Sequence, residues 1–105
     1  MAEFVKSTAD AERSRLTVAG EVDIASVESL LTEARACLDG PADLLEVDLA
    51  GVTFIDSSGL GALVQIRTAA ADRGKRMQLT DVPSSVSRLF DLTGLHAVFS
   101  AGADG

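Results

Sequence analysis

The chain reads as a single α/β domain, and three observations point there. Strand-like alternation and helix-like periodicity take turns along the sequence, 47% of the residues are hydrophobic, and there are 105 of them. That length supports one domain with one core and is too short for two ordinary ones, so residues 1–105 are read as one unit. Strands that alternate with helices imply β-α-β crossovers and a mostly parallel sheet, here of four to five strands with the first as an antiparallel edge. The expected order is ββαβαβαβ.

Glu3 to Ser7 and Ser14 to Gly20 read as two strands around the polar turn TADAER, an antiparallel hairpin. In ASVESLLTEARACLDG, Val27, Leu30, Leu31, Ala34 and Leu38 recur at helical spacing; Ser26 is placed to cap the start, and Gly40 with Pro41 to stop it. A third strand follows in LLEVDL, where Leu45, Val47 and Leu49 alternate with Glu46 and Asp48. Asp56 or Ser57 then opens a second helix that runs to about Arg73 and is closed by Gly74. RMQLT supplies a fourth strand, and SSVSRLFDLTGL a third helix with Val86, Leu89 and Phe90 on one face and Gly94 as its stop. A last short strand is expected at 97–100.

Composition narrows the function classes. No stretch approaches the roughly 18 apolar residues of a membrane span, and the start MAEFVKSTAD has neither the basic nor the apolar segment of a signal peptide, so a cytoplasmic protein is expected. The formal net charge of −7 repels phosphate backbones and anionic lipid, which argues against nucleic acid and membrane as partners and leaves a protein partner as the natural alternative. Cys37 falls on the apolar stripe of the first helix and reads as a buried structural thiol; with one cysteine and one histidine, a Cys/His metal site is not expected.

In a parallel sheet neighbouring strands end at the same edge, so the loop after the second strand, GEVD (20–23), and the loop after the third, GVTFIDSS (51–58), should lie side by side, where open α/β sheets tend to place their sites. The segment FIDSSGLGAL, 54–63, is therefore the stretch to explain. A hydrolase needs a histidine base, and the only histidine, His96, follows the third helix in an apolar stretch; Asp56 also stands where a G-x-S-x-G motif needs glycine. Gly59 and Gly61 form a lone G-x-G without the third glycine of a dinucleotide site, and read more simply as allowing the helix start to pack closely on the sheet. Glu21, Asp23 and Asp56 could be imagined as an acid/base or magnesium set, but Asp56 has an ordinary task as helix cap. Phosphorylation fits the position: a serine in the first turn of a helix lies near unpaired backbone N–H groups and the positive end of the helix dipole, which tolerate a dianion. Such a phosphate would change the surface rather than the fold, and would oppose docking to an acidic or apolar partner. DSSG is equally a capping pattern, so both readings stand on the residues alone.

The run VDLAGVTFIDSSGLGAL, preceded by VAGEVDIAS, resembles the STAS domain family and within it the small bacterial anti-sigma factor antagonists, over essentially the whole chain. The resemblance implies a partner-switching protein that is not itself an enzyme and carries no cofactor. Unphosphorylated, such a protein binds an anti-sigma factor serine kinase, which holds the ATP, and so releases a sigma factor; phosphorylation makes it let go, and a PP2C-type phosphatase restores it. The phosphorylated residue of the signature corresponds to Ser58, with Ser57 and Asp56 as positioning neighbours and Glu21 and Asp23 in the matching G-E-[LVI]-D loop. Gly59, Leu60 and Val64 complete the expected docking surface, and the free protein is expected to be a monomer. STAS domains also serve as scaffolds or as subunits of lipid-transport ABC systems, the alternative reading. The second helix leaves its own question, since Leu60, Ala62, Leu63, Val64, Ile66, Ala69 and Ala70 wrap much of its circumference. Either it is buried on two sides, or it carries an exposed docking stripe with Leu60 and Val64 on it.

Overall fold

The computed structural model describes residues 3–8 and 13–95. Its elements are β1 (Glu3–Thr8), β2 (Arg13–Val22), α1 (Val27–Leu38), β3 (Leu44–Ile55), α2 (Ser57–Asp72), β4 (Arg76–Thr80) and α3 (Ser84–Thr93). The four strands form one sheet in sequence order, β1 antiparallel to β2 and the other pairs parallel. The strand expected at 97–100, and His96, lie outside the described residues.

One face of the sheet is buried. Leu16, Val18 and Val22 of β2, Leu45, Val47 and Leu49 of β3 and Met77 of β4 meet Leu30, Ala34 and Leu38 of α1, Leu63, Ile66 and Ala70 of α2, and Val86 and Phe90 of α3. Each large side chain in this set stabilises the fold by about 1.5–3 kcal/mol relative to exposure. Cys37 belongs to the same core. On the opposite face Arg13 pairs with Glu46 at 3.0 Å and Arg15 with Asp48 at 2.9 Å. With both arginines around half exposed, each pair contributes at most about 1 kcal/mol.

Two expectations need correction. The segments GEV and GVTFI were expected in loops, but β2 continues to Val22 and β3 to Ile55. The β2–β3 register slips by one residue between Thr17 and Ala19 and again between Gly20 and Glu21, each slip adding a residue to β3. These are β-bulges, and they break the period-two pattern by which the sequence would declare a strand. Secondly, Ser26 stands at the N-cap position of α1 without capping it. Its hydroxyl turns back instead, accepting from the Asp23 N–H at 3.0 Å and donating to the Asp23 carbonyl at 3.1 Å.

At the other end of α1, Lys75 Nζ donates to the carbonyls of Leu38 at 2.7 Å and Gly40 at 2.5 Å. A cation thus takes up acceptors left over at a helix C-terminus and pins α1 to the start of β4. Lys75→Met is expected to cost about 1–2 kcal/mol, because charged hydrogen bonds are lost and the carbonyls are left half-shielded. Chemical denaturation read by circular dichroism checks this, and an unchanged midpoint would contradict it.

Candidate functional site

The carboxyl edge of the sheet is built where β2, β3 and α2 meet. Glu21 pairs in register with Phe54 and Val22 with Ile55, so the two motifs expected side by side are neighbours on adjacent strands. One residue further on, the Asp56 N–H donates to the Val22 carbonyl at 3.2 Å, tying the start of α2 to the end of β2. Asp56 is the N-cap: its backbone is extended, and its carboxylate Oδ1 accepts from the Gly59 N–H at 3.1 Å. Ser57 and Ser58 are then the first two residues of the helix, with backbone N–H groups that have no acceptor within it. Ser57 is exposed and Ser58 half-buried, and the Ser58 hydroxyl takes no partner among the described residues.

Close packing sets the level of this turn. A Cβ on Gly59 would come within 2.6 Å of Ile55 Cγ1 and 2.8 Å of the Val22 carbonyl oxygen, so only glycine lets the helix start approach the sheet this closely. The same role expected of Gly61 is not found: it is exposed, with nothing within 4 Å of the Cβ it lacks. On β2, Gly20 takes a φ of 85°, which glycine adopts freely, and the chain enters the second bulge there. Past Val22 the chain is held locally. Asp23 Oδ1 accepts from the Ala25 N–H at 3.0 Å, and Ser26 closes the same turn. Glu21 is exposed and Asp23 half-buried.

The docking stripe expected on α2 is corrected by burial. Leu60 is only 5% exposed and belongs to the core, and Val64 is half-buried against it. The helix is packed against both the sheet and α1, and the line it leaves outward, Ser57, Gly61, Gln65 and Thr68, is small and polar. Gly59 is buried as well, so it shapes the site from beneath. The exposed apolar side chains of this edge are two that the sequence analysis did not single out, Ile24 (75% exposed) just after GEVD and Phe54 (51%) opposite Glu21. Phe54 was legible in principle. The two bulges in β3 together restore the original parity, so counting alternate residues from Leu45 puts position 54 outside.

Among the described residues no group of three His, Cys, Asp or Glu could hold a metal ion, and no helix is long and apolar enough to cross a membrane.

Comparison with known proteins gives a consistent set. The family model described as "Mlab, STAS domain" matches residues 5–100. The anti-sigma-B factor antagonist of Staphylococcus aureus is 33% identical over 94 residues, covering 87% of this chain and 84% of the relative. Among solved structures, the unphosphorylated anti-sigma factor antagonist SpoIIAA superposes with a TM-score of 0.76 at 22% identity, covering 89% of this chain and 82% of that one. The phosphorylated form of Bacillus SpoIIAA superposes with a TM-score of 0.72 at 20% identity, covering 90% and 86%. Likeness at such identity shows a shared fold.

The two glycines of the signature should respond oppositely to the same change. Gly59→Ala is expected to destabilise by about 1–3 kcal/mol through overpacking against Ile55 and Val22. Gly61→Ala is expected to stabilise by up to about 1 kcal/mol, since alanine is the better helix former and meets nothing. Urea unfolding midpoints of the two variants decide it, and equal shifts would refute the close approach at Gly59.

Proposed function

The chain belongs to the STAS domain family, and from that premise we propose that it is an anti-sigma factor antagonist switched by phosphorylation of Ser58. Unphosphorylated, it docks through the Glu21–Asp23 edge and the start of α2 on an anti-sigma factor that is also a serine kinase, and the sigma factor is released. The observation that carries this reading is the position of the Ser58 hydroxyl: first turn of α2, half-exposed, unpartnered among the described residues, and on a turn that the Asp56 N–H ties to Val22 at the end of β2. The names of its curated relatives support the same role.

In the forward step the Ser58 oxygen attacks the γ-phosphorus of ATP held by the kinase. An O–P bond forms, the bond to ADP breaks, and the hydroxyl proton passes to a base of the kinase. The chain is a substrate and supplies no catalytic group. A PP2C-type phosphatase returns the hydroxyl by hydrolysis. The work takes place in the cytoplasm, with the free antagonist a monomer.

Magnitudes indicate how a phosphate ends the complex. Ile24 and Phe54 put exposed apolar surface on this edge, next to Glu21 and Asp23. A dianion there must shed water against apolar surface, which costs on the order of several kcal/mol, whereas exposed charge pairs at a rim are worth about 1 kcal/mol or less. Desolvation therefore outweighs any rim attraction or repulsion.

The second reading, a STAS scaffold or transport subunit without a phosphorylation cycle, draws on the description of the matched family model. Peptide mapping of the protein from its own cells separates the two. One phosphate confined to Ser58 supports the switch, and an unmodified chain across growth and stress conditions supports the scaffold.

Ser58→Ala is expected to stay folded, to bind the kinase persistently and to accept no phosphate. Ser58→Asp is expected to stay folded and to bind at least about tenfold more weakly, a single charge placed in a desolvated contact. Because desolvation is the cause, raising salt from about 0.05 to about 0.5 M should not restore its binding. Recovery at high salt would instead mark screened charge repulsion as the cause.

A further inference from the structure

A recess of about 400 Å³ lies between the end of β3 and α3 and reaches Asp56, two residues before the switch serine. Buried Ile55 and Val86 line it, together with half-exposed Phe54 and Leu89, and Thr53, Asp56 and Ser85 complete it. Its lining is mostly apolar and its polar groups are few, so an occupant is held there by apolar contact, with little to fix its orientation. A side chain delivered by a larger surface needs no such fixing. Asp56 belongs both to this recess and to the cap of the helix that begins with Ser57 and Ser58, so the recess and the switch serine share one surface.

Charge identifies what that larger surface must carry. The segments that form this edge and line the recess, 20–26, 51–58 and 81–89, contain the carboxylates Glu21, Asp23, Asp56 and Asp81 against the single cation Arg88, so the balance is acidic. Complementarity then asks for basic residues on the partner around whatever enters the recess.

We propose that the recess between β3 and α3 is the anchor pocket of the partner interface, taking an aliphatic side chain from an anti-sigma factor surface whose neighbouring residues are basic. This rests on the partner-switching reading and extends the docking surface beyond the G-E-V-D and D-S-S-G segments to α3. An apolar anchor seated in a pocket and ringed by weak polar contacts is how interfaces of this kind concentrate their affinity. It also gives the phosphate on Ser58 something to disrupt, because the anchor must be seated dry beside it.

The test places an obstacle in the recess without touching the switch. Ser85 and Thr53 are both exposed, so Ser85→Gln and Thr53→Gln put longer, uncharged side chains at the recess with no core change, and unaltered unfolding midpoints verify the fold. Each is combined with Ser58→Ala and titrated against the anti-sigma factor that the Ser58→Ala chain retains. The expected result is a loss of about tenfold or more for both, with Ala36→Gln, exposed on α1 outside the recess, unchanged. Binding within twofold of the parent for both variants would overturn the anchor while leaving the switch standing. A second arm needs no partner protein: the dipeptide N-acetyl-Leu-Arg-amide is titrated into the ¹⁵N-labelled full chain. Shifts confined to residues 53–56 and 85–89, lost with N-acetyl-Ala-Arg-amide and with Phe54→Ala, support the pocket. Shifts elsewhere, or none, overturn it. If Ser58→Ala retains no anti-sigma factor, the functional reading fails and the dipeptide arm alone decides the recess.

Discussion

The hydrogen bond from the Asp56 N–H to the Val22 carbonyl, 3.2 Å long, joins three elements at a single peptide group: the end of β2, the end of β3 and the start of α2. The position of Ser58 follows from it. Because the donor is the capping residue itself, the helix cannot begin higher or lower without losing either this bond or the bond from Gly59 to the Asp56 carboxylate. Gly59 presses against Ile55 and Val22 from the same turn, which leaves the helix start no room to tilt toward the sheet. The neighbouring Glu21–Asp23 segment is held by Ser26 and by the Asp23 side chain. A hydroxyl on so constrained a turn is presented in one place, which suits a residue that another protein's active site must reach.

Charge is distributed along the strands in a way that separates stability from recognition. Near the amino edge stand Arg13 and Arg76 at the starts of their strands, with Arg73 paired to Asp39 at 3.2 Å and Lys75 clamping the end of α1. Arg13, Arg73 and Lys75 serve internal contacts. The carboxyl edge presents Glu21 and Asp81 outward, together with Ile24 and Phe54. With a formal net charge of −7, the chain meets a partner edge-first when that partner carries the opposite charge, and charge of this kind acts mainly on the rate of encounter.

Much of this was legible in the residues. The helices announce themselves by apolar spacing, the Asp56 cap by its type and place, and the neighbourhood of GEVD and DSSG by the rule that parallel strands end at one edge. What escaped has specific causes. Two bulges in β3 disguise the strand's continuation through GVTFI, because each breaks the alternation that defines a strand. Leu60 looked like a surface contact because an apolar residue next to a site can face either way; only the angle at which α2 lies between the sheet and α1 turns it inward. Ser26 had the right type for a cap, and its hydroxyl found nearer partners in the turn before it. Gly61 shows the converse, a glycine inside a signature with no packing need in this fold.

The central claim is that a phosphate on Ser58 changes this surface and leaves the fold alone. Its most direct test is a comparison of ¹H–¹⁵N spectra of the full chain before and after stoichiometric phosphorylation. The account predicts changes confined to residues 20–26 and 53–61, with the amides of α1 beyond its first turn and of β4 unmoved. Changes that spread through α1 and β4, or a loss of dispersed signals, would contradict it and make the switch a conformational one.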